Sequence, residues 1–400
     1  MVAAGAVVTK DVPHTTVVGR SGSDHQKNYI KNCGGIRMNK LGFGFLRLPR
    51  DNNKDIDWPL LETMVDAFLA SGGTYFDTAY TYLDGMSEAA LKRTVAERYP
   101  RASFQIADKL PGWKVKRQAD LQKYFSEQLE RCGVDYFDVY LLHWLNRDNY
   151  AVAERYDEFG FLNRLKADGR IGKTGFSYHG DAATLEKILR AHPDVDVVQL
   201  QINYLDWDDP AMEAHKCYDI AARYGKEIVV MEPVKGGTLA DLPEEAGRLL
   251  RQAAPSESTA SWAIRFTQSL EQVSVVLSGM ITMEQMRDNM RDVPPLSQQE
   301  YELLERVSAI AAKNTAIPCT GCRYCVKACP KGIAIPDYFR IYNGYSRFPA
   351  EGWKIGPVYA SIAQTNGKAS DCIHCRACEK NCPQQIPIAS WLEKVAKALE

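Results

Sequence analysis

Short apolar runs recur along the chain, with amphipathic stretches between them. Between residues 60 and 69, apolar side chains fall on one helical face. Apolar runs of the length of buried strands occupy eight segments: 41–47, 74–77, 104–109, 137–142, 172–177, 196–202, 227–232 and 273–278. Eight strand-then-helix units predict an α/β fold, a parallel (β/α)8 TIM barrel, with a doubly wound open sheet as the alternative. Because ligands bind at the carboxyl ends of the strands in both folds, functional residues should follow the strands.

The chain on either side of this pattern has a different character. Residues 1–36 are rich in Gly, Ser, Thr, Asn and His without apolar periodicity, which predicts a disordered leader. Met38 directly precedes the first apolar run and is an alternative translation start. A helix is predicted over 298–313 and another over 336–342, within a cysteine-rich tail. We therefore predict a barrel domain over 37–314 and a separate, mainly helical domain over 315–400.

Composition narrows the class of protein. The 400 residues carry 49 basic and 50 acidic side chains, so no global field attracts nucleic acid. No apolar run is long enough for a membrane span and no secretion signal is visible, which predicts a cytoplasmic protein. In that compartment eleven cysteines are more typical of metal ligands or catalytic thiols than of disulfides. Cys33, Cys132 and Cys217 are scattered, and we interpret them as small buried hydrophobes.

The other eight cysteines repeat one pattern, C-x2-C-x2-C-x3-C-P. The two copies are Cys319, Cys322, Cys325 and Cys329, then Cys372, Cys375, Cys378 and Cys382. In this pattern the first three thiolates come from one short loop and bind three irons of a four-iron four-sulfur cubane, and the fourth reaches the other cluster. The pattern therefore predicts two 4Fe-4S clusters that exchange their fourth ligands, Cys382 and Cys329. Structural zinc is the alternative, although zinc ribbons usually use separated C-x2-C pairs.

The cysteine-rich tail resembles the helical ferredoxin module of electron-transfer subunits. Two neighbouring clusters form a path for single electrons. The resemblance implies a ferredoxin-like domain that exchanges electrons with a redox partner protein, such as ferredoxin or flavodoxin.

Polar side chains follow three of the predicted strands. Asp77 and Tyr82 follow the second, Lys109 ends the third and His143 follows the fourth. Singly, each could serve the fold alone, Asp77 as a helix cap and His143 as a core histidine. Together, with the Asp-x4-Tyr spacing, they resemble the aldo-keto reductase superfamily over about residues 38–292. The resemblance implies that these four residues are catalytic.

Carbonyl reduction asks for the same residue types. A phenol of pKa about 10 donates a proton poorly at pH 7 until a nearby cation favours phenolate. Lys109 would supply that cation, Asp77 would compensate the buried lysine, and His143 would donate to the carbonyl oxygen. The predicted reaction interconverts a small-molecule carbonyl and an alcohol.

The family resemblance also implies a nicotinamide cofactor, NAD(P)(H), with weaker matches. Tyr178 stands where the family usually has Asn, and the family's Lys and Arg at the dinucleotide phosphate are absent. Trp113 and His179 are candidates for the lining of the substrate pocket, with surface or packing roles as the alternative. The predicted cofactor contacts are Ser177, Gln199, Met231, Ser278, Gln285 and Asn289.

The two predicted redox chemistries differ in electron count. Nicotinamide moves two electrons as a hydride, whereas each cluster moves one, and converting between them normally requires a flavin or another radical-stable centre. Two alternatives follow: a flavin mononucleotide (FMN), or another converter, in the barrel in place of the dinucleotide, or a non-catalytic electron-carrier subunit.

Overall fold

Eight parallel strands close into a barrel in chain order, with β8 paired to β1. The computed structural model describes residues 40–209, 212–313, 315–347, 358–360 and 362–400, so the predicted leader, Met38 and Cys33 lie outside it. The barrel prediction is confirmed, and the open-sheet alternative is wrong. The strands are β1 (Leu41–Gly44), β2 (Tyr75–Asp77), β3 (Gln105–Leu110), β4 (Phe137–Leu145), β5 (Ile171–Tyr178), β6 (Val197–Gln201), β7 (Glu227–Met231) and β8 (Val273–Ser278).

Helices follow the strands and cover the outside of the barrel. The first begins after Asp57, whose carboxylate accepts from the Leu60 N–H at 3.1 Å, and it buries one apolar face. In chain order the helices of the barrel part are α1 (Trp58–Ala70), α2 (Met86–Leu91), α3 (Ala119–Cys132), α4 (Arg147–Arg155), α5 (Glu158–Ala167), α6 (Ala182–Ala191), α7 (Ala214–Arg223), α8 (Glu244–Ala253), α9 (Thr259–Ser269), α10 (Met283–Asn289) and α11 (Gln298–Lys313). The helices described in the tail are α12 (Tyr324–Ala328), α13 (Ile335–Arg347), α14 (Ala377–Lys380) and α15 (Ile388–Leu399).

The barrel interior is filled by side chains, so the site can form only at its rim. A cluster of buried interior residues includes Val139, Leu141 and Val229, and a larger apolar core lies between the strands and the outer helices. Cys132 and Cys217 are buried, as predicted for small hydrophobes. No helix in the described ranges has the length and apolar character to span a membrane.

A second core forms in the tail. Helix α11 contributes Leu304 and Val307 to the core of the barrel, whereas Ile317 already belongs to the tail's own core. That core also includes Ile335 of α13 and Leu392 of a final helix, Ile388–Leu399. The buried apolar residues thus change from the barrel core to the tail core between 307 and 317, and the domain boundary near 315 stays a prediction.

One buried carboxyl should make barrel stability depend on pH. Glu158 begins α5, and its Oε1 has no hydrogen-bond partner among the described residues. Burial raises the pKa of Glu158 to about 7, from 4.5. The folded state therefore binds the Glu158 proton more tightly than the unfolded state does. The stabilisation that this proton gives is complete below pH 4.5 and is lost as the pH rises through 7. We expect the free energy of unfolding of Glu158→Gln, relative to that of the native chain, to rise by up to about 3 kcal/mol between pH 4.5 and pH 8.

Denaturant unfolding followed by circular dichroism at both pH values measures this difference. The neighbouring Asp157 is the control, because its side chain is about half exposed and pairs with Arg164 at 2.8 Å. Asp157→Asn should give the native pH dependence. An equal stability difference between Glu158→Gln and the native chain at both pH values would contradict the argument.

Candidate active site

Asp77, Tyr82, Lys109 and His143 meet at the carboxyl ends of the strands. The Lys109 Nζ donates to Asp77 Oδ1 and to the Thr78 carbonyl oxygen, each at 2.7 Å. It also lies 4.9 Å from the centre of the Tyr82 ring, and that ring lies 5.7 Å from the imidazole of His143. All four side chains are at least 90% buried. The structure thus brings together the four residues predicted as catalytic.

Burial sets the protonation of this group. The pKa of Tyr82 is raised well above its usual value by burial and by the Asp77 carboxylate, so the phenol holds its proton. The pKa of His143 is lowered well below its usual value by burial and by the Lys109 charge, which keeps the imidazole neutral. Burial also raises the pKa of Asp77, and the Lys109 ammonium opposes that rise. The site therefore presents a protonated phenol and a neutral imidazole, two groups able to donate to a carbonyl oxygen.

Three large aromatic side chains extend from this group toward the tail. The Trp113 ring, after β3, lies 5.0 Å from His143 and 5.8 Å from Trp144, centre to centre. Trp144 stacks at 5.8 Å and 26° on Tyr324, which belongs to the tail. Interaction with the Tyr324 side chain lowers the pKa of Tyr82, against the larger rise that burial causes. We call Trp113, Trp144 and Tyr324 the aromatic wall.

The backbone of Trp144 is strained in a way that aims its ring. Its φ of 65° is in the left-handed region, which bulky residues rarely occupy. The strain sits at an irregularity in the β4–β5 pairing, between Leu142 and Leu145. Two hydrogen bonds hold it: the Trp144 N–H donates to Ser177 Oγ at 2.7 Å, and Asn149 donates to its carbonyl at 2.8 Å. The fold thus maintains an unfavourable conformation that brings the indole against Tyr324.

The residues predicted to hold nicotinamide are only partly placed for it. The Ser177 side chain is buried at the carboxyl end of β5, and Gln199 Oε1 is buried without a partner among the described residues, as a carboxamide acceptor would be. These two residues fit the carboxamide. Tyr178 turns away, and its hydroxyl donates to the Asp181 carbonyl at 2.6 Å. The Asn position of the family therefore contributes no pocket group here.

The predicted contacts near the dinucleotide phosphate bond to the protein itself. Gln285 Oε1 accepts from the Ile281 N–H at 2.9 Å, and Asn289 donates to Ser278 Oγ at 3.0 Å. Met231, predicted to face the nicotinamide, ends β7 and is partly exposed. Because Gln285 and Asn289 already bond to groups of their own segment, they support a bound phosphate less well than Ser177 and Gln199 support the carboxamide.

A chain of hydrogen bonds runs from His179 toward the tail. The His179 Nδ1 lies 3.0 Å from Gln201 Oε1, and Gln201 Nε2 donates to Glu232 Oε2 at 3.2 Å. The same Glu232 oxygen accepts from Gln384 Nε2, also at 3.2 Å. Glu232 follows β7 with a left-handed φ of 56°. Gln384 of the tail thus bonds to Glu232, the residue that follows β7.

The tail covers the loops after β1 and β7. Arg47 donates to the Thr320 carbonyl at 3.0 Å, and Lys235 donates to Gln384 Oε1 at 2.8 Å. The close approach requires a glycine at 236, because a Cβ there would lie 2.1 Å from the Thr320 oxygen. Both cations are therefore committed within the protein, Lys235 also to the buried Asp206 carboxylate at 2.5 Å.

Four of the eight comb cysteines line one cavity. They are the first three of the first comb and the last of the second: Cys319, Cys322, Cys325 and Cys382. The cavity is otherwise lined mainly by apolar residues, among them Ile335 and Phe339. The grouping is the one that the predicted exchange of fourth ligands requires, and the sulfur-rich lining fits a cubane. Burial raises the pKa of Cys319 to about 11 and that of Cys322 to about 12, so cluster assembly must displace protons.

The remaining comb cysteines are Cys329, Cys372, Cys375 and Cys378. Burial, and then the neighbouring Glu379, Cys329 and Cys372, raise the pKa of Cys378 to about 11. Cys329 therefore lies near two cysteines of the second comb, the arrangement that an exchange of fourth ligands would need. Cys375 is exposed, whereas Cys325, which lines the first cavity, is buried and near Cys378.

Sequence reasoning missed the residues that join the two domains. Tyr324, Glu232, Gln384 and Arg47 have no motif of their own. Tyr324 carried one usable signal, because a large aromatic residue between Cys322 and Cys325 is fixed beside a cluster wherever the comb is placed. Nothing in the local pattern indicates that this residue faces a barrel.

A closed parallel barrel with a buried lysine, phenol and imidazole at its rim, joined to a cysteine-lined domain, defines an oxidoreductase with iron–sulfur clusters. The profile of the aldo/keto reductase family matches residues 40–309. The chain therefore belongs to that family. A 4Fe-4S dicluster domain profile matches residues 318–386, which favours clusters over structural zinc.

Individual relatives match the barrel. Glyoxal reductase of Bacillus subtilis is 24% identical over 220 residues, which cover 54% of this chain and 70% of that protein. An aldo-keto reductase of Mycolicibacterium smegmatis is 25% identical over 232 residues, 57% of this chain and 75% of that one. Among solved structures, the Bacillus halodurans aldo-keto reductase in its holo form is 22% identical, with a TM-score of 0.53, over 67% of this chain and 91% of its own. A Klebsiella pneumoniae aldo-keto reductase in complex with NADPH is 18% identical with a TM-score of 0.53, over 67% and 90% of the two chains. The structural likenesses show a shared barrel fold.

Proposed function

We propose that this protein interconverts a small-molecule carbonyl and an alcohol at Tyr82, with a nicotinamide cofactor and two 4Fe-4S clusters. The observation that carries the proposal is the Tyr82, Lys109, Asp77 and His143 group, buried together at the strand ends. The bound nicotinamide would supply the hydride, with its carboxamide held by Ser177 and Gln199. The clusters would be held by the two mixed sets of comb cysteines and would exchange single electrons with an outside carrier protein.

The chain's own residues account for the proton and the orientation. His143, kept neutral, would donate to the carbonyl oxygen and hold it beside the Tyr82 hydroxyl. Tyr82 would give its proton to that oxygen as negative charge develops there, and Lys109 would stabilise the phenolate that remains. Asp77 would keep Lys109 charged and in place through their 2.7 Å contact. The reverse sequence would take the proton from an alcohol.

A second candidate uses the same barrel without a dinucleotide. It is favoured by the tail over the loops after β1 and β7, where Arg47 and Lys235 are committed to Thr320, Asp206 and Gln384. Electrons for carbonyl reduction would then come from a one-electron donor rather than from NAD(P)H. This candidate retains Tyr82 as the proton donor.

One assay separates the two candidates. Anaerobically purified protein is given an aldehyde with NADPH, or instead with reduced methyl viologen, and alcohol is measured by chromatography. The proposal expects one alcohol per NADPH oxidised. Alcohol formed only with viologen would replace it by the second candidate. No alcohol with either donor across a panel of aldehydes and ketones would leave the electron-carrier alternative.

A further inference from the structure

The tail reaches into the active site through one residue, Tyr324. It lies between Cys322 and Cys325, yet its ring stacks on Trp144 of the barrel. Ring contacts then run from Trp144 to Trp113, from Trp113 to His143, and from His143 to Tyr82. Five aromatic side chains thus form a continuous series that ends on the two predicted proton donors, and the Tyr324 side chain also influences the pKa of Tyr82.

We propose that Tyr324 is an active-site residue supplied by the iron–sulfur domain: its ring completes the substrate pocket, and its hydroxyl positions the hydroxyl of Tyr82. The inference rests on the proposed function of Tyr82. An aromatic wall beside the proton donors selects carbonyl compounds with a flat apolar body, because stacked and edge-on ring contacts stabilise such ligands.

Two features indicate that the placement is built into the fold. Trp144 holds its left-handed backbone where its ring meets Tyr324. Arg323, directly before Tyr324, is also left-handed, with φ 66°. Strained residues on both sides of one contact persist only where the surroundings maintain them.

The test separates the ring of Tyr324 from its hydroxyl. In Tyr324→Phe the ring stays, so the KM for 4-nitrobenzaldehyde should change little, while kcat should fall about 10-fold if the Tyr324 hydroxyl positions that of Tyr82. In Tyr324→Leu the ring is lost, so KM for that aldehyde should rise about 10-fold. KM for glyceraldehyde, which is small and polar, should not rise.

A matched control removes a different contact between the same helix, α12, and the barrel. Lys327→Ala deletes the ion pair between Lys327 and Asp84, two largely exposed side chains, and leaves the aromatic wall unchanged. It should keep native kcat and KM. Iron and sulfide content should be native in all three variants, which excludes loss of the cluster as the cause.

Equilibrium binding makes the test independent of turnover. Quenching of tryptophan fluorescence by 4-nitrobenzaldehyde reports binding at Trp113 and Trp144, and its Kd should rise about 10-fold in Tyr324→Leu alone. A native Kd in Tyr324→Leu, or an equal rise in Lys327→Ala, would overturn the proposal even for an inactive protein. Native kcat in Tyr324→Phe, together with lost turnover in Tyr82→Phe, would overturn the role of the hydroxyl and leave the proposed function intact.

Discussion

Replacing Tyr82 by phenylalanine is expected to lower turnover by roughly 100- to 10,000-fold, the usual effect of losing a general acid. The substitution removes one hydroxyl and keeps the buried ring that packs beside Lys109 and His143. The fold and both clusters should therefore survive. Alcohol formation under the donor that supports it measures the loss, and circular dichroism with iron and sulfide analysis verifies the rest.

Two companion variants sharpen this result. Tyr80→Phe is the matched control, because Tyr80 lies in the same loop but donates to Glu127 at 2.9 Å, away from His143. It should keep native turnover. Lys109→Met should lose activity as Tyr82→Phe does, since the phenolate would lack its cation. Reduction of the clusters by dithionite should be native in each variant, because no step of it uses the phenol. Unchanged turnover in Tyr82→Phe would show that Tyr82 is not the proton donor and would contradict the proposed mechanism.

The barrel was predictable because its strands are buried on both faces. A strand such as β4 lies between the packed interior and the outer helices, so Phe137 to Leu142 read as one apolar run with turn signals around it. The meeting of Asp77, Tyr82, Lys109 and His143 was predictable for a related reason. Parallel strands bring their carboxyl ends to one rim, so residues far apart in sequence but each at a strand end must meet.

The strand ends themselves were less predictable. The run 41–47 was expected to be one strand, but β1 ends at Gly44. Strand β4 was expected to end at 142 and continues to Leu145, so His143 lies within it, beside the left-handed Trp144. Apolar periodicity carries no signal for such a change of register, because the hydrogen bonds to Ser177 and Asn149 that hold it come from distant elements.

Contacts between the barrel and the tail were not predictable from either pattern alone. The comb motif fixes which cysteines bind together but says nothing about the surface on which the domain docks. Docking depends on paired features such as Gly236 against Thr320 and Arg47 against the same carbonyl. Each is unremarkable in its own segment, and the pairing exists only in three dimensions. The closeness of the first cysteine cavity to the active site follows from that docking.

Replacing Cys382 by serine should remove the cluster built on the first comb, although Cys382 belongs by sequence to the second. The reason is spatial: Cys382 lines the cavity of Cys319, Cys322 and Cys325, whereas Cys329 lies with Cys378. The native chain should hold about eight irons and eight sulfides, and the variant about half of each, because the other set stays complete.

The surviving cluster is identified by comparison with two single-cluster variants. Cys322→Ser breaks the first set, and Cys375→Ser, at an exposed position, breaks the second. Each should leave one cluster with its own electron paramagnetic resonance spectrum after reduction. If ligands are exchanged between combs, the spectrum of Cys382→Ser will match that of Cys322→Ser. A match to Cys375→Ser would show that each comb holds its own cluster. Zinc without sulfide in the native protein would show that neither cluster is present. The cavity of the first set also adjoins Tyr324. If Cys382 binds the cluster in that cavity, its loss disturbs the surroundings of Tyr324. Cys382→Ser should therefore weaken binding of 4-nitrobenzaldehyde, whereas Cys375→Ser should not.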